Sequence, residues 1–301
     1  MSNSNRSPGQ LLNLRHIIGA LLIALMTLGL AACSATKLAY QNAPELSYWW
    51  LDSYLDLNES QSLRLREDLA ALQTWHRQYE LPVYVRTLEE LQKMALLDTT
   101  PEQVCDLYFE FRTRFQAILD QFEPRVTALA PTLKLGQIDH LERQLDKRNQ
   151  KWRDEWLDVT PAQRLARRVK QMTERSEMFY GRLEEAQLAV LRASLAAAPL
   201  DLTLTYRESQ RRHQDILQTL RQINPATQSA TDTKSALRAL LARTMDSPEP
   251  VLRTHMRKMV QSNCRTLAAL HNASTPAQRA HFAATLRDYR ADALSLLLPS
   301  R

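Results

Sequence analysis

Thr100-Pro101-Glu102-Gln103 opens the run TPEQVCDLYFEFRTRFQAILDQFE, residues 100–123, and the fold class follows from how that run is read. A threonine oxygen accepts from the free amides of a first helical turn. Proline at the first helical position loses no hydrogen bond, and glutamine at the third reaches back to the cap. From that start Val104, Tyr108, Phe111, Phe115, Ile118 and Phe122 step by four and three, the stripe of a helix that packs one side against others. The punctuation recurs at Thr160-Pro161-Ala162-Gln163 and Thr275-Pro276-Ala277-Gln278, and without proline at Asn58-Glu59-Ser60-Gln61.

Each start leads into a similar stripe. Leu65, Leu69, Leu72, His76 and Tyr79 follow the Asn58 start; Leu165, Val169, Met172, Ser176, Phe179 and Leu183 follow Thr160; Phe282, Leu286, Tyr289, Ala293 and Leu296 follow Thr275. Ile138, Leu145, Trp152 and Val159 are spaced by seven, with Leu141 beside them and Asn149 on the same seam. A buried Asn149 would fix helix register; one at the rim would reach solvent. Further helices are expected at 184–198, 201–223, 233–245 and 248–272. Pro82, Pro124, Pro131, Pro199, Pro225, Pro248 and Pro250 mark bends or breaks. The expected fold is all-α, an antiparallel multi-helix bundle, with Asn224–Thr233 the best linker inside a single domain over 44–301.

Glycine use agrees. Of five glycines, Gly9, Gly19 and Gly29 precede Cys33, so only Gly136 and Gly181 serve the rest of the chain. Phosphate-cradling loops and nucleophile elbows need more.

The first 32 residues read as an export signal. Arg6 and Arg15 precede the apolar run Ile17 to Leu30, which ends in Leu30-Ala31-Ala32-Cys33. That run is too short for an ordinary membrane span. Small residues before a cysteine at this place are similar to a bacterial lipobox. The resemblance implies acylation of Cys33, cleavage after Ala32, a tether over 33–43 and anchoring by acyl chains, each buried methylene contributing about 0.8 kcal/mol. Ser34 is similar to the address that sends such proteins to the outer membrane, facing the periplasm.

With Cys33 used, Cys105 and Cys264 remain. An even pair in an oxidising compartment invites a disulfide, and the alternative is two buried thiols. A bridge would close a loop for which chain entropy gives about 4–5 kcal/mol at most.

PELSYWWLDSYLDL, residues 44–57, sets Trp49 beside Trp50 shortly after the anchor. Adjacent residues lie about 100° apart on a helix, so both rings are covered only in a groove between neighbours. The adopted reading makes this the first bundle helix with its tryptophans in the core. A lipid-headgroup contact, opposed by Asp52 and Asp56, and a ligand surface are the alternatives.

Chemistry is sparse. The histidines are scattered; His76 and His213 fall on apolar stripes, where satisfied core histidines are common. His255, His271 and His281 cluster only in sequence. No metal site, cofactor or catalytic group is expected. The net charge of +6 drops to about +4 once Arg6 and Arg15 are removed, and basic and acidic residues interleave, which argues against nucleic acid. The basic pairs Arg207/Arg211 and Arg253/Arg257, with Arg164, Arg167 and Arg168, form a candidate face for phosphate or acidic glycans; a solvated surface is the bland alternative.

Through LAAC, YWWLD, TPEQVCDLY, LERQLDKRNQKW and LAALHNASTPAQR the chain resembles a proteobacterial lipoprotein family that carries only an unknown-function label. The resemblance implies an all-α periplasmic lipoprotein and supplies no catalytic residue. The TPEQ and TPAQ tetrads are also similar to Spy/CpxP-type periplasmic chaperones, which are shorter and lack an acyl anchor. The functional expectation is a binding, adaptor or chaperone-like role toward an envelope protein, with peptidoglycan or lipopolysaccharide binding as the alternative and a hydrolase whose catalytic residues come from distant helices as the third reading.

Overall fold

The computed structural model describes residues 36–223 and 229–297. Leu30, Ala31, Ala32 and Cys33, read from sequence as similar to a lipobox, lie outside them. Helical backbone already spans 36–41, inside the segment read as a tether. The helices are α1 (Ala43–Leu55), α2 (Glu59–Tyr79), α3 (Leu81–Met94), α4 (Pro101–Leu129), α5 (Leu135–Trp156), α6 (Pro161–Tyr180), α7 (Glu185–Ala197), α8 (Leu202–Gln222), α9 (Ala230–Met245), α10 (Pro250–Asn272) and α11 (Pro276–Leu297). Among the described residues there is no strand. The chain is an all-α multi-helix bundle.

The helix starts form where the punctuation places them. Asn58, Thr100 and Thr160 each accept from the amide three residues on, and Gln61, Gln103 and Gln163 return the bond to the cap amide. Gln278 accepts from the Thr275 amide at 3.0 Å. Sequence did not show what the glutamines do next. Gln61 and Gln137, at the starts of α2 and α5, bond to each other, with Gln137 Nε2 2.9 Å from Gln61 Oε1. Gln61 Nε2 also donates to the Thr132 carbonyl at 2.9 Å. At the starts of α7 and α11, Gln278 Nε2 donates to Gln187 Oε1 at 2.8 Å, while Gln187 Nε2 donates to Ser274 Oγ at 3.0 Å. A local capping device thus joins helix starts far apart in sequence, and its amides are buried but satisfied.

The core is divided among several clusters. Leu81 and Val85 of α3 meet Ala293 and Leu296 of α11. Ile138, Leu141 and Leu145 of α5 meet Leu217 of α8. Tyr48 of α1 meets Leu65 and Leu69 of α2, with Phe122 of α4 beside them. Leu183 and Leu191 meet Leu270 of α10. Asn149 is buried: its Nδ2 pairs with His213 Nδ1 at 2.8 Å and its Oδ1 accepts from Ser209 Oγ at 3.2 Å. It therefore ties α5 to α8, the register role.

Three expectations need correction. Pro124 does not break its helix but sits inside α4; Arg125 Nη1 donates to the Gln121 carbonyl at 2.8 Å beside the interruption. Only residues 224–228 of the proposed linker lie outside the described chain; Ser229 already caps α9, and Thr233 is buried. Trp49 and Trp50 are not core residues: they are 60% and 56% exposed, and Tyr48 points inward instead. Tyr48 can enter because its hydroxyl finds Ser62 Oγ at 3.1 Å while the Arg66 guanidinium covers its ring, 3.6 Å from the centroid.

Candidate functional site

The aromatic stripe of α4 gives the largest departure from the expected bundle. No residue of α4 is buried, and Phe109 and Phe115 are 52% and 50% exposed. Tyr108 and Phe111 also stand open. The reason lies in the arc: with Phe109 added to Tyr108, Phe111 and Phe115, the aromatic face spans about 160° at 100° per residue, wider than one neighbouring helix covers.

These rings form one wall of a groove of about 1120 Å³. The other wall is α10, whose Arg253, Met256, Arg257, Val260, Gln261 and Arg265 recur at helical spacing. The disulfide between Cys105 and Cys264 joins the walls toward one end, with Cα atoms 5.4 Å apart. Toward the other, Arg112 donates to Asp246 Oδ1 at 2.8 Å and Oδ2 at 2.9 Å after the end of α9. The two helices therefore run antiparallel along the groove. Its volume is slightly above the range of about 300–1,000 Å³ for sites that enclose ligands, and it is open along its length.

Behind the groove, a buried carboxylate fixes two of its lining residues, Arg212 and Ser247. Glu208 of α8 is buried and accepts from Arg211 Nε and Nη2 and from Arg212 Nε, each at 2.8 Å, and from Ser247 Oγ at 3.2 Å. Burial works to raise its pKa, but the hydrogen bonds and charges of Arg211 and Arg212 prevail and hold the carboxyl below the ordinary glutamate value. Asp215 is likewise held low, first by its hydrogen bonds from Arg243, at 2.9 and 2.7 Å. The lip differs. Among the described residues no carboxylate lies in ion-pair range of Arg253, Arg257 or Arg265. Arg253 bonds only the carbonyls of Ser247 and Pro248, at 2.7 and 2.8 Å.

The arginines read from sequence as one basic face are not brought together. Arg253 and Arg257 line the groove. Arg207 pairs with Glu249 at 2.7 Å and Arg211 is taken up by Glu208 and Asp215. Arg164 donates to the Trp156 and Leu157 carbonyls at 3.2 and 3.3 Å, and Arg168 to the Leu195 carbonyl at 2.9 Å. Arg167 bonds the Glu155 carbonyl. Helix C-termini leave carbonyls without donors, and these three side chains supply them. Arg112, Arg265 and the open aromatic wall were missed; the signal for the wall was an aromatic arc too broad for one seam.

The histidines join helices. His271 Nε2 lies 2.8 Å from the Leu97 carbonyl and Nδ1 lies 2.8 Å from the Tyr180 hydroxyl, so the neutral ring donates through Nε2 and accepts at Nδ1. His76 Nδ1 meets the Tyr40 hydroxyl at 3.0 Å. Burial lowers the pKa of His76, His213 and His271. Among the described residues no group of three His, Cys, Asp or Glu side chains is placed to hold a metal ion. No single described helix is long and apolar enough to cross a membrane.

Fold and groove define a helical-bundle protein with an open aromatic–arginine cleft. The chain belongs to a family of unknown function (DUF6279), whose model matches residues 53–247. That span holds α4 and Cys105 but ends before α10, so Cys264, Arg253 and Arg257 lie beyond it. No curated protein and no solved structure matches the chain.

Proposed function

We propose that this is a non-enzymatic envelope binding protein, held on the periplasmic face of the outer membrane by acyl chains at Cys33, whose groove takes an extended apolar polypeptide segment bearing acidic side chains. The carrying observation is the wall of Tyr108, Phe109, Phe111 and Phe115 left open opposite Arg253, Arg257 and Arg265, which among the described residues have no carboxylate in ion-pair range although Glu102 and Asp106 line the same groove. From Cys105 to Phe115 the wall runs about 15 Å at 1.5 Å per residue, the length of about four or five residues of extended chain. Aromatic faces grip apolar side chains of many shapes, and unpaired guanidinium groups add carboxylate contacts. An adaptor or chaperone-like role follows from a groove that is open rather than shaped around one small molecule.

Three features support the setting and the non-catalytic reading. The LAAC sequence with Ser34 supports anchor and address. The Thr-Pro-x-Gln helix starts, similar to those of Spy/CpxP-type chaperones, support the functional class weakly, because capping physics alone accounts for them. The histidine pairings with tyrosine, asparagine and carbonyl groups leave those rings occupied in joining helices.

The test uses the chain that follows Cys33, with its disulfide intact, and fluorescent peptides that vary in apolar and acidic content. Peptides with both are expected to bind, and an aggregating client is expected to stay in solution. Phe109→Ser with Phe115→Ser should abolish binding; Arg253→Ala with Arg257→Ala should weaken it and reduce its salt dependence. If no peptide binds and no client is protected, the reading is wrong. The arginine row favours one second reading, an anionic glycan or lipopolysaccharide ligand. It predicts salt-sensitive sedimentation with cell wall or lipopolysaccharide that Arg253→Ala with Arg257→Ala weakens and the phenylalanine changes leave intact.

A further inference from the structure

We propose that α1 is a membrane-contact helix, laying Leu46, Trp49 and Trp50 onto the surface of the bilayer that holds the acylated Cys33. The inference rests on the anchor reading and adds a second, side-chain contact to it.

Leu46, Trp49, Trp50 and Ser53 stand at i, i+3, i+4 and i+7, one face of α1, and Leu46 and both tryptophans are more than half exposed. Leu38, equally exposed, precedes Leu46 by two turns. The Asn42 amide donates to the Leu38 carbonyl at 3.1 Å and the Leu46 amide to the Asn42 carbonyl at 2.9 Å, so helical bonding runs through the junction. The opposite face is occupied: Tyr48 is buried among Leu65 and Leu69, and Leu51 packs against them. Trp50 packs on Tyr54 of the same helix, 5.2 Å between centroids, and Trp49 lies beside Tyr48 with the Arg66 guanidinium 5.8 Å from its ring, yet both indoles stay more than half exposed.

Chain length brings the bilayer within reach. The described backbone is helical from its first residue, Thr36, three residues on from Cys33, at most about 11 Å of chain. Trp49 lies about 20 Å further at 1.5 Å per residue. A body tethered so closely holds α1 near the lipid headgroups at all times. An amphipathic indole, apolar in body and polar at its N–H, prefers that zone to water.

The acids of α1 do not oppose this placement. Glu45 is paired with Arg66. Asp52 Oδ1 accepts the Leu57 amide at 2.9 Å where the helix ends. Asp56 lies beyond the helix, at its C-cap.

The test separates this contact from the acyl anchor. The whole chain after Ala32, with a hexahistidine tag in place of Cys33, is tethered to nickel-chelating lipid in vesicles of phosphatidylethanolamine and phosphatidylglycerol. Phospholipids brominated near the headgroup then report which indoles reach the bilayer. Quenching is expected in the tethered chain and should be lost in Trp49→Ser with Trp50→Ser, whose circular dichroism should not change. Absence of quenching in the tethered parent, or quenching that survives both substitutions, overturns the proposal. Indoles unquenched by lipid but shielded from acrylamide in envelope extract would assign the ridge to a protein partner and overturn it as well. Fractionation of Cys33→Ala tests the anchor alone, and its outcome leaves the tethered result standing.

Discussion

The two halves of α10 meet their neighbours in opposite ways. From Ser262 to His271 the buried residues are Ser262, Cys264, Thr266, Ala268, Leu270 and His271, so the helix is covered on two sides. From Arg253 to Gln261 none is buried, and the helix faces α4 across the groove. Local helix formation does not separate the halves, since one unbroken helix carries both. What separates them is side-chain size and charge at the contact. Small side chains let α7 and α4 approach the C-terminal half. Arginines and Met256 on one side, against phenylalanines on the other, hold the stretch from Arg253 to Gln261 open, although Leu252 just ahead of it is 1% exposed and anchors the helix start. Close packing is therefore a property of facing pairs, and a bundle helix can be structural at one end and available at the other.

The strongest way to break this contrast is to remove its boundary. The Cys105–Cys264 bond lies where closed passes into open. Cys105→Ser with Cys264→Ser should cost about 4–5 kcal/mol at most, the chain-entropy figure for so long a loop. Urea denaturation gives the loss, and amide exchange should rise in α4 and the N-terminal half of α10 before it rises in α7.

Within the closed half the core decides. Leu191 and Leu270 are 0% and 1% exposed and pack together. Leu270→Ala should cost about 2–5 kcal/mol, the range for a leucine truncated in a core that relaxes only in part. A loss near zero in the urea midpoint would mean that this half is no better packed than the groove.

A smaller effect sharpens the polar side of the same junction. Gln187→Ala leaves Gln278 Nε2 and Ser274 Oγ without one of their partners and frees the Glu184 amide. The cost should be about 1–3 kcal/mol, the range for orphaned buried groups. Gln103→Ala, in an exposed capping box at the mouth of the groove, should cost about 0.5–1 kcal/mol. Equal losses would show that the buried glutamine pairs add nothing to simple caps.

Acid should act on the closed half through His271. Its pKa is lowered, chiefly by burial, from the ordinary 6.5. The unfolded chain therefore takes up a proton at higher pH than the folded one, and stability rises with pH across that interval. Full stability is present above about pH 6.5 and declines as pH falls from there through the folded value. His213 and His76 act in the same direction. The urea midpoint should drop as pH falls below about 6.5, and His271→Gln should flatten that drop.

Helix positions were legible in the sequence because capping is local: a threonine, a proline and a glutamine within four residues define a start. The stripes of α5 and α11, and that of α2 through Leu65 and Leu69, were legible for a similar reason, since each is narrow enough for one or two neighbours; Tyr79, read onto the α2 stripe, is 61% exposed. Trp49, Trp50 and the α4 wall were not. Periodicity shows that a residue is apolar and on which arc it lies, but not whether a second helix arrives to cover it. The arginines were misread because a free guanidinium and one capping a carbonyl look identical in sequence; Arg168 meets Leu195, and Arg253 does not meet a carboxylate, only through tertiary placement.

The last effect concerns the open half and completes the contrast. Phe109 is 52% exposed, so Phe109→Ser removes about half of a side chain's burial, and the loss of folding stability should be about 1 kcal/mol, against about 1.5–3 kcal/mol for a fully buried side chain. The same substitution should weaken capture of an apolar peptide, because the open half of the ring is free to stabilise a ligand. Measured together, a small loss in the urea midpoint and a loss of binding identify a surface maintained for contact. A loss as large as that of Leu270→Ala would instead place Phe109 among the residues that hold α4 to α10, and the two halves of α10 would no longer differ in kind.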